Sequence, residues 1–114
     1  MKRGEVYWAM LAPRSGSEQK GGPVIIVSRD GFNRAPNWRS VIVVPISTSS
    51  SQAERGPTAV LLPAKSAGLK KTSIALCHQV TTLDRVKLEK LIGVLSQALM
   101  QQVDSGIKAA LDLV

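Results

Sequence analysis

The stretch RSGSEQKGGPVIIVS, residues 14–28, joins a polar, glycine-rich segment to an entirely apolar one. Four β-branched residues in succession, Val24 to Val27, predict a strand that is buried on both faces. The segment in front of it offers a hydroxyl, a carboxylate, an amide and an ammonium group within four residues, Ser17 to Lys20. A loop with so many hydrogen-bonding groups beside a buried strand is a candidate binding segment.

Apolar runs separated by turn residues continue on both sides of this stretch. Their composition predicts five strands, at residues 5–11, 23–28, 41–47, 58–63 and 72–83. Pro45 has no backbone N–H to donate, so we expect a sheet edge or a bulge there. Residues 84–95 leave two interpretations open, because Asp84 is a suitable cap for a short helix whereas Gly93 would interrupt a longer one.

A terminal helix is predicted after residue 95. Ser96 is a suitable N-cap, and Leu99, Val103, Ile107 and Leu111 follow at four-residue steps that form one apolar face. Strands followed by a helix, without βαβ alternation, predict a mainly β (α+β) fold, with a small antiparallel sheet or barrel and a C-terminal helix packed against it. The chain shows no repeat and no linker, which predicts a single domain over residues 1–114.

Charge and composition restrict the function. The formal net charge of +7 and the pI near 10.1 favour a polyanionic partner, either nucleic acid or an acidic protein, over a merely solubilising surface. Cys77 and His78 are the only residues of their types, so we expect no disulfide, no metal site and no cofactor. There is no apolar run of about 18 residues and no signal-like start, so we expect a cytoplasmic protein without a membrane span.

The residues present suit one reaction that needs no metal, the cleavage of RNA by its own 2′-hydroxyl group. Such an enzyme needs a proton acceptor, a proton donor and positive charge or hydrogen-bond donors around the phosphate. His78, with an ordinary pKa of ~6.5, is a candidate acid or base. Lys20 is a candidate for neutralising the phosphate, and Ser17, Ser47 and Thr48 are candidate donors. Each also has a structural interpretation, as a packed strand histidine or as solvated loop residues.

Four segments, in chain order, resemble the MazF/PemK/Kid toxins of bacterial toxin–antitoxin pairs. They are the R-G-E-V-Y start, the G-S-E-Q loop before a proline-led apolar strand, the V-P-I-S strand end and the Q-V-T-T-L-D close. Together they cover nearly the whole chain. The resemblance implies a small SH3-like antiparallel β-barrel with helices, which forms a homodimer. It also implies metal-independent, sequence-specific cleavage of single-stranded RNA to 2′,3′-cyclic phosphate and 5′-hydroxyl ends.

The resemblance implies partners and site residues as well. The partners are single-stranded RNA (messenger RNA, with ribosomal and transfer RNA as alternatives), a cognate antitoxin whose acidic tail occupies the RNA groove, and operator DNA only through the antitoxin complex. Ser47 matches the residue that touches the scissile phosphate, Gln79 matches a base-contacting glutamine, and His78 stands where members carry an Asp or Glu proposed to transfer protons. The residues that match the RNA-contacting loop are Gly16, Ser17, Glu18 and Gln19.

Two positions depart from the family pattern. Gly22 stands where members usually carry a principal catalytic Arg, and Thr81 stands where a basic residue is frequent. Lys20 is the nearest replacement charge, although lysine lacks the bidentate fork of arginine. We therefore expect Lys20, Ser47 and His78 to be catalytic. The expected RNA contacts are Arg14, Gly16, Ser17, Glu18, Gln19, Arg29, Thr48 and Gln79.

Two other functions stay open from the sequence. One is a catalytically impaired module of the same fold that binds RNA or an antitoxin, and the glycine at position 22 is its best support. The other is a gyrase poison, which would bind a protein and which the G-S-E-Q loop supports little.

Overall fold

The computed structural model describes residues 1–11, 21–48 and 56–113. These residues form a mainly β structure with a C-terminal helix, as predicted. Short 3₁₀ turns lie at Ser66–Gly68, Cys77–Gln79 and Arg85–Lys87. The strands and α-helices are β1 (Glu5–Met10), β2 (Gly21–Ile26), α1 (Asp30–Arg34), β3 (Ser40–Ser47), β4 (Ala59–Leu62), β5 (Ser73–Leu76), β6 (Thr81–Asp84), β7 (Leu88–Val94) and α2 (Gln97–Leu111).

The strands form one antiparallel sheet in the order β4-β5-β3-β2-β1-β7, with β6 also paired to β3. One edge of β3 changes partner along its length, because Ser40 to Val43 pair with β6 whereas Ile46 and Ser47 pair with β5. Pro45 lies between these two ladders, and on its other edge it pairs with Val24. The expectation of an edge strand at Pro45 is therefore wrong. The missing N–H is tolerated because it falls where β3 changes partner.

Three local predictions need correction. The fifth strand expected over 72–83 is divided into β5 and β6 by the turn at Cys77–Gln79. Asp84 does act as a cap, since its side chain accepts a hydrogen bond from the Val86 N–H at 3.0 Å, but it caps only a 3₁₀ turn. The residues after it form the strand β7 and no helix. The short helix α1 was not predicted at all.

The outermost strands β4 and β7 do not pair with each other in the described sheet, so hydrogen bonds do not close a barrel. The turn at Ser66–Gly68 crosses β7 in direct backbone contact instead. A Cβ at Gly93 would lie 2.4 Å from the carbonyl carbon and oxygen of Ala67, and one at Gly68 would lie 2.5 Å from the carbonyl oxygen of Ile92. Only glycine fits at either point, and we call this contact the glycine crossing.

Each face of the sheet buries its own apolar cluster. Val6, Ile25 and Val44 contribute to the cluster that α2 covers, and Ala9 and Val24 contribute to the other. Along β2, Val24, Ile25 and Ile26 are all fully buried, as the apolar run predicts for a strand covered on both faces. This strand therefore forms the centre of the core.

Helix α2 begins as predicted. The Ser96 hydroxyl accepts a hydrogen bond from the Leu99 N–H at 3.2 Å, which caps the first turn. Val103 is fully buried, whereas Leu111 is 54% exposed, so the predicted apolar face leaves the core at its last member. Among the described residues, no helix is both long enough and apolar enough to cross a membrane.

Arg3 ties the start of the chain to the rest of the fold. Its guanidinium donates to the carbonyl of Val27 at 3.0 Å and pairs with both carboxylate oxygens of Asp104 on α2. Its backbone N–H donates to Asp30 at 2.7 Å, and this bond holds the pKa of Asp30 below its ordinary value. The next residue, Gly4, has φ +95°, a conformation that favours glycine. Arg3 thus fixes the start of the chain to the end of the β2 segment and to α2, and Gly4 allows the backbone turn that follows it.

We predict that Gly93→Ala lowers the free energy of unfolding by about 1–3 kcal/mol, the usual range for overpacking. The new methyl group would meet the backbone of Ala67, which cannot rotate away as a side chain does. Urea denaturation followed by circular dichroism measures the effect. Gly31→Ala is the matched control, because its Cβ would meet nothing closer than the Arg29 side chain at 3.6 Å. Equal stability of the two variants would show that the crossing is not tight.

Candidate functional site

A groove of about 1110 Å³ lies at the end of the sheet where β2 begins and β3 ends. The turn at Ser66–Gly68 and strand β7 lie side by side in its wall because of the glycine crossing. We call it the strand-end groove. Its described lining consists of Trp8, Leu11, Gly21, Gly22, Pro23, Ile46, Ser47, Thr48, Gly68, Lys70, Lys71, Ser73, Lys90, Leu91 and Ile92.

Sheet register places two of the sequence-predicted positions side by side. Val24 pairs with Pro45, and the same register extended by two residues puts Gly22 level with Ser47 on the same face. On its other edge Ser47 pairs with Ile74 of β5. Ser47 therefore lies between two strands that both line the groove, and Thr48 follows it with an exposed side chain.

The groove is strongly basic. Lys70, Lys71 and Lys90 are exposed and line it, and no acidic side chain occurs among its described lining residues. A cleft lined by one sign of charge concentrates counter-ions and raises the local concentration of a polyanion. Sequence reasoning missed Lys70 and Lys71 because residues 64–71 read only as a turn, and it missed Lys90 because residues 84–95 were interpreted as helical. The two adjacent lysines, Lys70 and Lys71, were the feature of the sequence that could have indicated this basic site.

Trp8 supplies an aromatic surface in the same groove. Its indole lies on the backbone of Gly21, where a Cβ would come within 2.1 Å of the ring nitrogen. In the strand register Trp8 is paired with Lys90 of β7 and with Pro23 of β2. An aromatic ring with a neighbouring cation suits the stacking of a nucleic-acid base beside its phosphate.

Gly22 differs from Gly21 in what a side chain there would meet. A Cβ at Gly22 would contact only the end of the Leu11 side chain, at 3.3 Å. Its φ is also outside the left-handed range, so a larger residue would not strain the backbone. Position 22 can therefore accept a residue with a side chain, such as arginine.

His78 and Gln79 lie in the turn between β5 and β6, which packs against α2. The Gln79 side-chain nitrogen lies 3.4 Å from Nε2 of His78. Neither residue lines the strand-end groove, and Thr81 follows them as the exposed first residue of β6. The structure thus brings together Ser47, Thr48 and position 22, and it places His78 and Gln79 beyond the groove wall.

The remaining predicted residues fall into two groups. Arg29 is exposed at the start of α1, near the opposite end of β2 from the groove. Six positions lie outside the described residues, although Lys20 directly precedes Gly21 of the groove wall. These six are Arg14, Gly16, Ser17, Glu18, Gln19 and Lys20.

Cys77 is a structural residue. Its thiol is fully buried and donates to the carbonyl of Val103 at 3.6 Å. Burial, with a contribution from the nearby Asp104 carboxylate, raises its pKa to about 11, so it is protonated at neutral pH and is a poor nucleophile. Across the described ranges, no three His, Cys, Asp or Glu side chains are grouped to hold a metal ion.

The sequence pattern of a known family spans nearly all of this fold. PemK-like, MazF-like toxins of type II toxin–antitoxin systems match residues 2–111. The chain belongs to this family. The resemblance read from the four motifs is thereby confirmed, and the predicted mainly β, antiparallel fold with a C-terminal helix agrees with it.

Individual members of the PemK/MazF family are similar along their whole length. Endoribonuclease EndoA of Bacillus subtilis is 35% identical over 115 residues, which is 100% of this chain and 97% of EndoA. Endoribonuclease MazF6 of Mycobacterium tuberculosis is 32% identical over 114 residues, 99% of this chain and 98% of the relative.

Solved structures of the family share the fold. The Mycobacterium tuberculosis toxin MazF-mt6 matches with a TM-score of 0.78 and 27% identity over 96% of this chain and 98% of that chain. A mycobacterial endoribonuclease in complex with its cognate antitoxin matches with a TM-score of 0.76 and 25% identity, covering 100% and 95% of the two chains.

Proposed function

We propose that this protein is the toxin of a type II toxin–antitoxin pair and cleaves single-stranded RNA at a specific sequence. The observation that carries the proposal is the strand-end groove, with three lysines, three hydroxyl side chains and an aromatic ring in its described lining. The family membership and the endoribonuclease names of the relatives support the activity.

The reaction we propose uses the 2′-hydroxyl of the substrate as the nucleophile, without a metal ion. The 2′-oxygen forms a bond to the adjacent phosphorus while the bond from phosphorus to the 5′-oxygen breaks. One proton leaves the 2′-hydroxyl and one is given to the 5′-oxygen, so the products are a 2′,3′-cyclic phosphate and a 5′-hydroxyl. The protein has to accept and donate these protons and to stabilise charge on the phosphate.

Ser47 and the lysines are suited to hold the phosphates. The Ser47 hydroxyl is proposed to donate to the scissile phosphate, beside Thr48, at the groove position level with Gly22. Lys20, next to Gly21 of the groove wall, is proposed to supply the charge that an arginine at position 22 would supply. Lys70, Lys71 and Lys90 are proposed to bind the flanking phosphates, since such contacts position an RNA chain.

His78 is proposed as a proton-transfer residue, and Gln79 as a base contact. Their turn follows β5 directly, and Ile74 of β5, the pairing partner of Ser47, lies four residues before His78 in the chain. Four residues span at most about 13 Å, and the proposed role of His78 requires the scissile phosphate to lie between Ser47 and His78, within hydrogen-bond reach of both. In this proposal the RNA continues from the groove across the end of β3 toward the turn. The loop residues Arg14 and Gly16 to Gln19 are proposed to contact the bases.

A second candidate is a non-catalytic module that binds RNA or the antitoxin. Two observations favour it, the glycine at position 22 and the position of His78 outside the groove lining. Both candidates share the basic groove, which equally suits an acidic, extended antitoxin tail. A relative solved with its cognate antitoxin supports this partner. The homodimer and the cytoplasmic location stay predictions.

Cleavage of a long RNA in the presence of a chelator tests the function. We expect cuts at one recurring short sequence, with new 5′-hydroxyl ends that a polynucleotide kinase labels directly. Lys20→Ala and His78→Ala are each expected to lower the rate at least tenfold, because removal of one transition-state donor typically costs ~3–4 kcal/mol. Circular dichroism checks that both variants fold.

Lys108→Ala is the matched control, since it removes the same charge from α2, away from the groove. RNA binding without any cleavage, with or without added metal, would favour the binding module. A requirement for metal would contradict the proposed chemistry. Wild-type rates in both Lys20→Ala and His78→Ala would move the catalytic roles to Arg14, Arg29 or the groove lysines.

Gly22→Arg is predicted to raise the cleavage rate. The position lies level with Ser47, and a Cβ there meets only the end of the Leu11 side chain, at 3.3 Å. Single-turnover kinetics on the same RNA measure the gain. Gly21→Arg is the control, because its side chain would collide with the Trp8 indole and lower thermal stability instead. A stably folded Gly22→Arg with an unchanged rate would show that charge at this position does not reach the phosphate.

A further inference from the structure

A pair of stacked aromatic rings lies on the surface at the other end of the sheet. The rings of Phe32 and Trp38 are nearly parallel, with centroids 4.3 Å apart and an angle of 12° between planes. The guanidinium carbon of Arg29 lies 5.4 Å from the centre of the Phe32 ring. Trp38 is 43% exposed, so much of the indole remains accessible beside a cation.

Hydrogen bonds hold α1, which carries Phe32, in place although this helix has only five residues. Asn33 is buried and its side chain both accepts from the Ser28 hydroxyl at 2.5 Å and donates to the Ser28 carbonyl at 2.8 Å. The carbonyl of Phe32 accepts from the Arg85 guanidinium at 2.7 Å. A surface that is already ordered loses little conformational entropy when it binds.

The surroundings of the rings are basic. Arg29, Arg34 and Arg39 lie in the same stretch of chain and are exposed, and Asp30 is the only acid between residues 28 and 40. The Asp30 carboxylate already accepts the N–H of Arg3. Arg39 lies 3.5 Å from Asp84 with its side chain 82% exposed, which is a weak surface pair. The arginines are therefore available to an anionic partner.

This surface is separate from the strand-end groove. Strand β3 runs from Ser40, beside Arg39, to Ser47 in the groove, and seven steps along a strand span about 23 Å. None of Arg29, Phe32 or Trp38 lines the groove. The RNA contact predicted for Arg29 therefore has to lie on a second surface of the protein, separate from the groove.

We propose that Arg29, Phe32, Arg34, Trp38 and Arg39 form an arginine–aromatic platform that binds single-stranded RNA outside the cleavage groove. A base stacks on the exposed indole of Trp38, and the arginines bind the adjoining phosphates. Every base has a π-face, so this contact tolerates any sequence, whereas an acidic peptide would use the arginines and leave the indole unused. The inference extends the proposed function and depends on it only for RNA as the ligand.

The chain has two tryptophans, so Trp8→Phe leaves Trp38 as the sole reporter. We expect a 2′-O-methylated RNA of about 20 nucleotides, which cannot be cleaved by its 2′-oxygens, to quench Trp38 fluorescence in a salt-sensitive manner. Inorganic polyphosphate should leave the fluorescence unchanged because it has no bases. The absence of quenching with bound RNA, or equal quenching by polyphosphate or polyglutamate, would overturn the platform. Quenching by raised protein concentration alone would assign the surface to self-association.

Affinity measurements give a second readout that is independent of cleavage. Trp38→Ala should weaken binding of the long oligonucleotide about tenfold and leave the affinity for a four-nucleotide RNA unchanged. Trp38→Phe should restore the lost affinity. Leu61→Ala is the control, since Leu61 is a comparably exposed apolar residue on β4. Equal weakening of both RNA lengths would contradict a separate platform. Because the RNA is not cut, loss of catalysis and loss of the platform are distinguishable.

Discussion

The glycine crossing between the turn at Ser66–Gly68 and strand β7 is the contact on which the functional part of the structure depends. The sheet has two ends that do not pair, and backbone contact at Gly68 and Gly93 brings them together. Lys70 and Lys71 follow the turn directly, and Lys90 lies on β7, so the crossing places all three in one groove. Two residues without side chains thus determine where the positive charge is concentrated.

The groove combines like charges that repel one another when it is empty. Three exposed lysines with no acid among the described lining destabilise the free protein slightly, and any polyanion relieves the repulsion. RNA phosphates and an acidic antitoxin tail offer the same relief at the same place. The proposed substrate and the proposed inhibitor therefore compete through one electrostatic feature. The arginine–aromatic platform at the far end of β3 adds a contact that only nucleic acid uses fully.

The sequence was sufficient where local chemistry decides the structure. The β-branched run of β2, the Ser96 cap and the placement of Ser47 and Thr48 at a strand end were all predicted from neighbouring residues. The division of residues 72–83 into two strands was not predicted. It arises because one edge of β3 pairs with β6 at its start and with β5 at its end, and this pairing depends on residues far apart in the chain. The groove lysines and the position of Arg29 were missed for the same reason, since strand pairing decides which loops share an end of the sheet.

Backbone amide chemical shifts test whether the strand-end groove is the RNA site. The 12.2 kDa chain is well suited to NMR titration with an uncleavable four-nucleotide RNA. We expect the largest shift changes at the amides of Gly22, Ser47, Thr48, Lys70 and Lys71. Changes confined to the surface between β4 and α2, around Leu61 and Ser105, with none in the groove would contradict this assignment.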